Sequence, residues 1–194
     1  MELDYPNGAT PLDKNEIQGL IPTHITTRAE LDRWEQDNIN EALTWVEENK
    51  PRNILNEPFL KLLHKKMFGN VWKWAGKFRQ TEKNIGVEPY MISIELKKLC
   101  DDIRYWIDNK TFNEDETAVR FHHRLVSIHL FPNGNGRHAR LAADILLANV
   151  FDRPPFTWGN ADLAKHNNTR QRYIESLYAA DRGDYKPLLQ FARS

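Results

Sequence analysis

The sequence predicts an all-α fold, and three observations carry that prediction. Apolar residues recur at helical spacing over Leu96, Leu99, Cys100, Ile103, Trp106 and Ile107, the pattern of a helix that buries one face. Thr117 to Ile128 and Ala139 to Asn149 read as two further helices, the second apolar almost all round, joined by a short loop that begins at His129. Only Ile85 to Ile92 leans toward β structure, and Gly86 and Pro89 confine it to a short segment. A helical bundle around a central helix-loop-helix, with one short β-hairpin or surface loop at Ile85 to Ile92, accommodates all of this.

In chain order, residues 1–50 form an N-terminal arm and a helix packed on the core, and residues 51–194 form the main domain. Pro6, Gly8, Pro11 and Pro22 punctuate the arm around a short helical stretch from Asp13 to Leu20. Thr27 is a suitable N-cap for a helix whose apolar positions are Leu31, Trp34, Ile39, Ala42, Leu43 and Val46. Pro51 stops that helix, because proline lacks an N–H and its ring clashes with the preceding turn. Asn56 to Met67 is a second amphipathic helix carrying Phe59, Leu60, Leu63 and Met67, and past Pro154-Pro155 a last long helix runs from Ala161 to Asp181.

Composition narrows the function classes. A chain of 194 residues is most economically one domain with a core of its own. Twenty-seven basic and 27 acidic residues balance, so no overall field draws the chain to nucleic acid or to an anionic membrane. The lysines and arginines from Lys61 to Lys83 are interleaved with aromatics and read as a solvated helix face followed by a core-anchoring segment. Cys100 stands alone, which excludes an intrachain disulfide and a cysteine-ligated zinc and fits a reducing compartment. The acidic start Met-Glu-Leu-Asp-Tyr-Pro is unlike a signal peptide, and no segment reaches membrane-spanning length. The expectation is a cytoplasmic protein without membrane contact.

The loop carries the chemistry. Pro132 ends the first helix, Gly134 and Gly136 permit positive φ and close approach, and Asn133 and Asn135 tolerate left-handed turns and cap helices. The helix N-terminus that follows favours an anion through its uncapped N–H groups and its dipole. Arg137 and Arg140 leave the same face of its first turn and can fork onto phosphate oxygens. Gly134, Asn135, Gly136, Arg137 and Arg140 therefore form a polyphosphate cradle. His129, at its lip, is suited to take a proton from an attacking hydroxyl. His122 and His123 point about 100° apart on one helix and have no metal-ligand spacing, so a structural role is expected for both. Asp144, four residues after Arg140, is placed to hold it in an ion pair.

The stretch from His129 to Arg140 resembles the signature of the Fic/Doc family, His-x-Phe-x-Asp/Glu-Gly-Asn-Gly-Arg-x-x-Arg, at every specified position except Asn133, where the family usually has an acid. Trp72 to Arg79 and Asn84-Ile85-Gly86 resemble the segment leading into that family's flap. Arg170 to Leu177 and Gly183 to Leu188 resemble its closing helices, and the whole chain is similar to the group called mobile mystery protein B. The resemblance implies a protein adenylyltransferase. ATP would lie in the cradle with Mg²⁺ or Mn²⁺ near Asn133, and Asn168 and Tyr173 would flank the adenine. His129 would activate a Ser, Thr or Tyr hydroxyl of a protein target, Phe131 would pack into the core to fix the loop, and Ile85 to Ile92 would be a short β-hairpin flap whose Ile85, Gly86 and Val87 align the target as an added strand. Asn offers a neutral carbonyl where an acid would give an anionic oxygen, so weaker metal binding is expected. Family members are often restrained by a Ser/Thr-x-x-x-Glu-Gly/Asn segment, which Thr44 to Asn49 matches and which makes Glu48 the candidate inhibitory residue; restraint by a separate small antitoxin protein is the alternative. Two other functions stay open: transfer of phosphate or another nucleotide, and a catalytically weak nucleotide-binding partner in a toxin-antitoxin-like pair.

Overall fold

The computed structural model describes residues 10–160 and 168–194. Eight α-helices are described: α1 (Lys14–Ile17), α2 (Arg28–Asn49), α3 (Glu57–Phe68), α4 (Ile92–Asp108), α5 (Glu114–Ile128), α6 (Asn135–Ile145), α7 (Asn168–Asp181) and α8 (Lys186–Ala192). Local chemistry sets their starts. Asp13 and Thr27 close capping boxes with Glu16 and Glu30, and Asn56 and Asn113 accept the N–H groups of Phe59 and Glu116; each such cap contributes about 1 kcal/mol. Lys50 turns left-handed to end α2 just before Pro51.

The centre of the molecule is α5 packed on α6, with α4 and α8 also against α5 and α3 against both α2 and α6. Ala139, Leu141, Ala142, Ala143 and Ile145 of α6 are all buried, as its apolar composition requires, and one π-helical turn, Leu146–Val150, extends it. The helix begins at Asn135, four residues earlier than its hydrophobicity indicates, so Asn135, Gly136 and Arg137 are its first turn. Leu96, Leu99, Cys100 and Ile103 form the buried stripe of α4. The last long helix begins, among the described residues, at Asn168; the expected residues 161–167 lie outside them.

Two local expectations change. Trp34 and Leu43, read as core positions of α2, are about two-fifths exposed, and the buried face of that helix instead carries Leu31, Glu35, Asn38, Ile39 and Ala42. The β-hairpin is absent: among the described residues the only bridge is a single antiparallel one between Leu20 and Trp72, and residues 84–87 are bends. Arg79 supplies the reason. Fully buried, it donates to the carbonyls of Thr81 at 2.9 Å and of Val87. An arginine fork thus takes up carbonyls that a strand ladder would pair.

The core also holds neutral histidines. His138, wholly buried, bonds through Nε2 to the Leu60 carbonyl at 3.0 Å, and burial lowers its pKa from 6.5 to about 4. His129 is lowered to about 4 by burial and by Arg79, and burial also holds His64 and His122 well below 6.5. The unfolded chain binds protons at these sites from about pH 6.5 downward while the folded chain does not, so stability falls as pH drops from 6.5 toward 4, by about 3 kcal/mol for His138 alone. Asp144, raised by burial to about 7, acts in the opposite direction but is one group against four. The expected outcome is a urea midpoint that falls steeply between pH 6.5 and 4.5, with a shallower fall in His138→Gln, which keeps a donor for Leu60.

Candidate active site

His129 ends α5 in the left-handed region, φ 58° and ψ 69°, which non-glycine residues seldom adopt and which costs about 1–3 kcal/mol. Its backbone is held on both sides: its N–H donates to Leu125 O at 3.1 Å, and its carbonyl accepts from Arg79 Nε at 2.6 Å. The ring is buried and Nε2 lies 3.2 Å from Thr10 Oγ1. Nδ1 has no hydrogen-bond partner among the described residues. With its pKa at about 4, the imidazole is a neutral, unprotonated base throughout the physiological range.

The loop beyond it is braced from inside. Phe131 is fully buried, its ring 3.7 Å from and nearly parallel to that of His64, as expected of a residue that fixes the loop; burying such a ring contributes about 2 kcal/mol. His64 takes the Gly76 N–H on Nδ1 at 3.0 Å, so its Nε2 carries the proton and donates to the Asn133 carbonyl at 3.0 Å. Asn135 clasps Phe131 twice, accepting its N–H at 2.9 Å and donating to its carbonyl at 2.7 Å. That corrects the sequence reading of Asn135: its side chain is committed to the loop itself and is unavailable to a phosphate. Gly134 has φ 78°, and a Cβ there would stand 2.7 Å from the Phe68 ring, so any other residue would be strained and would clash.

What the loop presents outward is the start of α6. No side chain caps it, and the N–H groups of Gly136 and Arg137 donate to no described residue. A Cβ on Gly136 would meet Arg140 at 3.6 Å and the Tyr173 hydroxyl at 3.8 Å, ordinary contact distances, so both side chains stand beside this first turn. Arg140 sits over the Tyr173 ring at 5.5 Å. Tyr173 is buried, with its hydroxyl 3.0 Å from His122 Nε2, whereas Asn168 is exposed at the first position of α7. His123 lies between Asp181 (2.8 Å) and the Tyr185 hydroxyl (3.2 Å). Both neighbouring histidines thus tie α5 to α7, and His123 ties it also to the chain just before α8, which is the structural role expected of them.

Three sequence expectations are corrected. Asp144 forms no ion pair with Arg140; it accepts from Trp158 Nε1 at 3.0 Å and from the Phe156 N–H at 3.1 Å, because its helix turns it toward the chain after Pro155. Glu48 is exposed near the end of α2 and makes no ion pair among the described residues. The glutamate that reaches the loop is Glu35, almost four turns earlier on the same helix. Its Oε2 lies 2.6 Å from Arg137 NH1, and its Oε1 accepts from Trp72 Nε1 at 2.6 Å. Its signal was present in the sequence, since Leu31, Glu35, Asn38 and Ala42 follow helical spacing and put a carboxylate on the buried face. Arg79 was also missed, because a lone arginine after an aromatic run gives no sign of burial. Asn133, the third correction, does not offer an open carbonyl: its Oδ1 accepts from the Gly134 N–H at 2.6 Å and from Arg137 NH2 at 3.4 Å, while its Nδ2 donates to the Thr10 carbonyl at 3.2 Å.

These donors do not fit a resident metal. Among the described residues no three His, Cys, Asp or Glu side chains gather to hold an ion; the Asn133 side-chain oxygen is neutral and doubly hydrogen-bonded, and both Glu35 carboxylate oxygens are taken, by Arg137 and Trp72. Ile85 and Gly86 are exposed beside His129, where a Cβ on Gly86 would come within 2.7 Å of the His129 Cβ; Val87 donates its N–H to Ile128 O at 3.3 Å. No helix among the described residues is long and apolar enough to cross a membrane.

Comparison with known proteins supplies the context. The chain is 30% identical over 133 residues to the protein adenylyltransferase fic-1 of Caenorhabditis briggsae, an alignment covering 66% of this chain and 25% of that protein. The chain thus spans about a quarter of that relative's length. Among solved structures it resembles the N-terminal FIC domain of Bep8 from Bartonella sp. 1-1C, with TM-score 0.70 at 15% identity over 89% of each chain. It also resembles BepC of Bartonella tribocorum with bound AMPPNP, with TM-score 0.66 at 20% identity over 93% of this chain and 97% of that one. The Fic/DOC family model matches residues 54–147, a span that takes in α3, the Arg79 segment and the whole helix-loop-helix, and over that span the chain carries the Fic/DOC family's pattern.

Proposed function

We propose that the chain is a protein adenylyltransferase that moves AMP from ATP to a hydroxyl side chain of a protein target. The observation that carries the reading is the contact between His129 Nε2 and a hydroxyl, at 3.2 Å, beside an uncapped helix N-terminus. A neutral imidazole bonded to an alcohol is a general base in place, and the free amides and arginines beside it suit a triphosphate. The names of the relatives, adenylyltransferases, support the same chemistry.

In this reading the phosphates lie on the amides of Gly136 and Arg137, with Arg140 and a released Arg137 neutralising their charge, while the Gly134 N–H stays on Asn133 Oδ1. His129 Nε2 removes the hydroxyl proton, the oxygen bonds to the α-phosphorus, and the bond from that phosphorus to the next bridging oxygen breaks, so pyrophosphate leaves. Tyr173 lines the inner end of the site and Asn168 its rim beside the adenine. The exposed Ile85 and Gly86, with Val87, align the target backbone. A divalent ion, Mg²⁺ or Mn²⁺, would be brought by the triphosphate, whose oxygens would supply its anionic ligands and whose charge it would help neutralise. The reaction is assigned to the cytoplasm, where ATP and reduced thiols coexist.

Glu35 makes the reading conditional. Its ion pair holds Arg137 away from a phosphate, which supports restraint within the chain over restraint by a separate antitoxin.

Three measurements test the proposal. His129→Asn, which tolerates the left-handed backbone, should lower incorporation from α-labelled ATP by at least about a hundredfold. Glu35→Gln keeps the Trp72 hydrogen bond but removes the charge; since a hydrogen bond to a charged group contributes about 1.5–3 kcal/mol, ATP affinity by calorimetry and AMP transfer should rise roughly tenfold to a hundredfold. Asn133→Asp should lower the Mg²⁺ concentration giving half-maximal transfer, and an unchanged value would remove Asn133 from the metal's surroundings.

A further inference from the structure

The group bonded to the catalytic base is part of the chain. Thr10 is buried, its Oγ1 is 3.2 Å from His129 Nε2, and its carbonyl accepts from Asn133 Nδ2 at 3.2 Å. The contact is anchored beyond Thr10 itself. Leu12 is buried in the core cluster, Lys83 donates to the Pro11 carbonyl at 3.3 Å, and the same Lys83 pairs with Glu16 at 2.5 Å, with both side chains largely buried. Residues 10–16 therefore cross from the segment beside Gly86 to the glycine loop, the place an incoming acceptor has to occupy, and they set a secondary hydroxyl at hydrogen-bond distance from the base.

We propose that Thr10 is an acceptor for the chain's own transfer reaction, so that the protein adenylylates itself there once. This rests on the adenylyl-transfer reading above. His129 Nε2 takes the Thr10 hydroxyl proton, Oγ1 forms a bond to the α-phosphorus of a bound nucleoside triphosphate, and the bond from that phosphorus to the bridging oxygen breaks with its electron pair leaving on pyrophosphate. Because base and acceptor belong to one chain, the step is first order in protein and stops at one AMP per chain. The product carries its nucleotide on the segment that lies over the base, so the modified arm competes with any other acceptor.

The test uses the full chain and its Glu35→Gln variant, incubated with α-labelled ATP and Mg²⁺ and followed by intact mass, peptide mapping and pyrophosphate release. The expected result is one AMP on Thr10, formed at a rate independent of protein concentration, kept in Thr10→Ser and lost from that position in Thr10→Val. AMP on other residues with Thr10 bare overturns the inference and leaves the transfer reading standing. A rate that rises with protein concentration overturns the intramolecular step. No AMP and no pyrophosphate from either protein overturns the inference and the transfer reading together.

Discussion

The site depends on one buried guanidinium. Among the described residues Arg79 has no carboxylate within ion-pair distance; its donors go to the carbonyls of His129, Thr81, Val87 and, at 3.5 Å, Ile128. Hydrogen bonds from a charged donor are about twice as strong as neutral ones, and four carbonyls around one cation stand in for the missing counter-ion. The same bonds hold His129 in a backbone conformation it would otherwise leave, and they fold residues 81–87 back beside it. Base and neighbouring segment thus share one support, and after burial itself the positive charge of Arg79 helps keep the imidazole neutral.

Around that support the loop is a closed set of mutual constraints. Asn135 clasps Phe131, Phe131 stacks on His64, His64 holds the Asn133 carbonyl, and Gly134 fits because Phe68 leaves no room for a side chain. Each of these partners lies inside the loop or on α3, so the outward amides of α6 are left without competition. Rigid internal bonding is what makes an unsatisfied helix terminus tolerable: two N–H groups go without a partner among the described residues while the rest of the loop is satisfied.

Helix periodicity and caps were readable in the chain because they are local: Thr27, Asn56 and Asn113 cap where a helix start requires them, and the α4 stripe buries as its spacing dictates. The loop's glycines and arginines were readable for the same reason. Arg79, His64 and Thr10 were not, since each acts across a long separation in sequence and nothing in its own neighbourhood marks it. The hairpin failed on the same ground. Ile85 to Ile92 has strand-like composition, but an arginine outside the segment binds the Val87 carbonyl within it. Glu48 fits a short pattern that carries no geometry, whereas Glu35 was discoverable only by asking which face of α2 is buried.

The Glu35 carboxylate touches an indole as well as an arginine, and that indole, Trp72, stacks on Trp74 at 4.9 Å. An anion on the indole N–H shifts electron density in the ring, so release of Glu35 from Arg137 alters the surroundings of a coupled chromophore pair. The restraint on the site therefore carries its own optical signal, and its opening can be followed by the intrinsic fluorescence of the unlabelled chain.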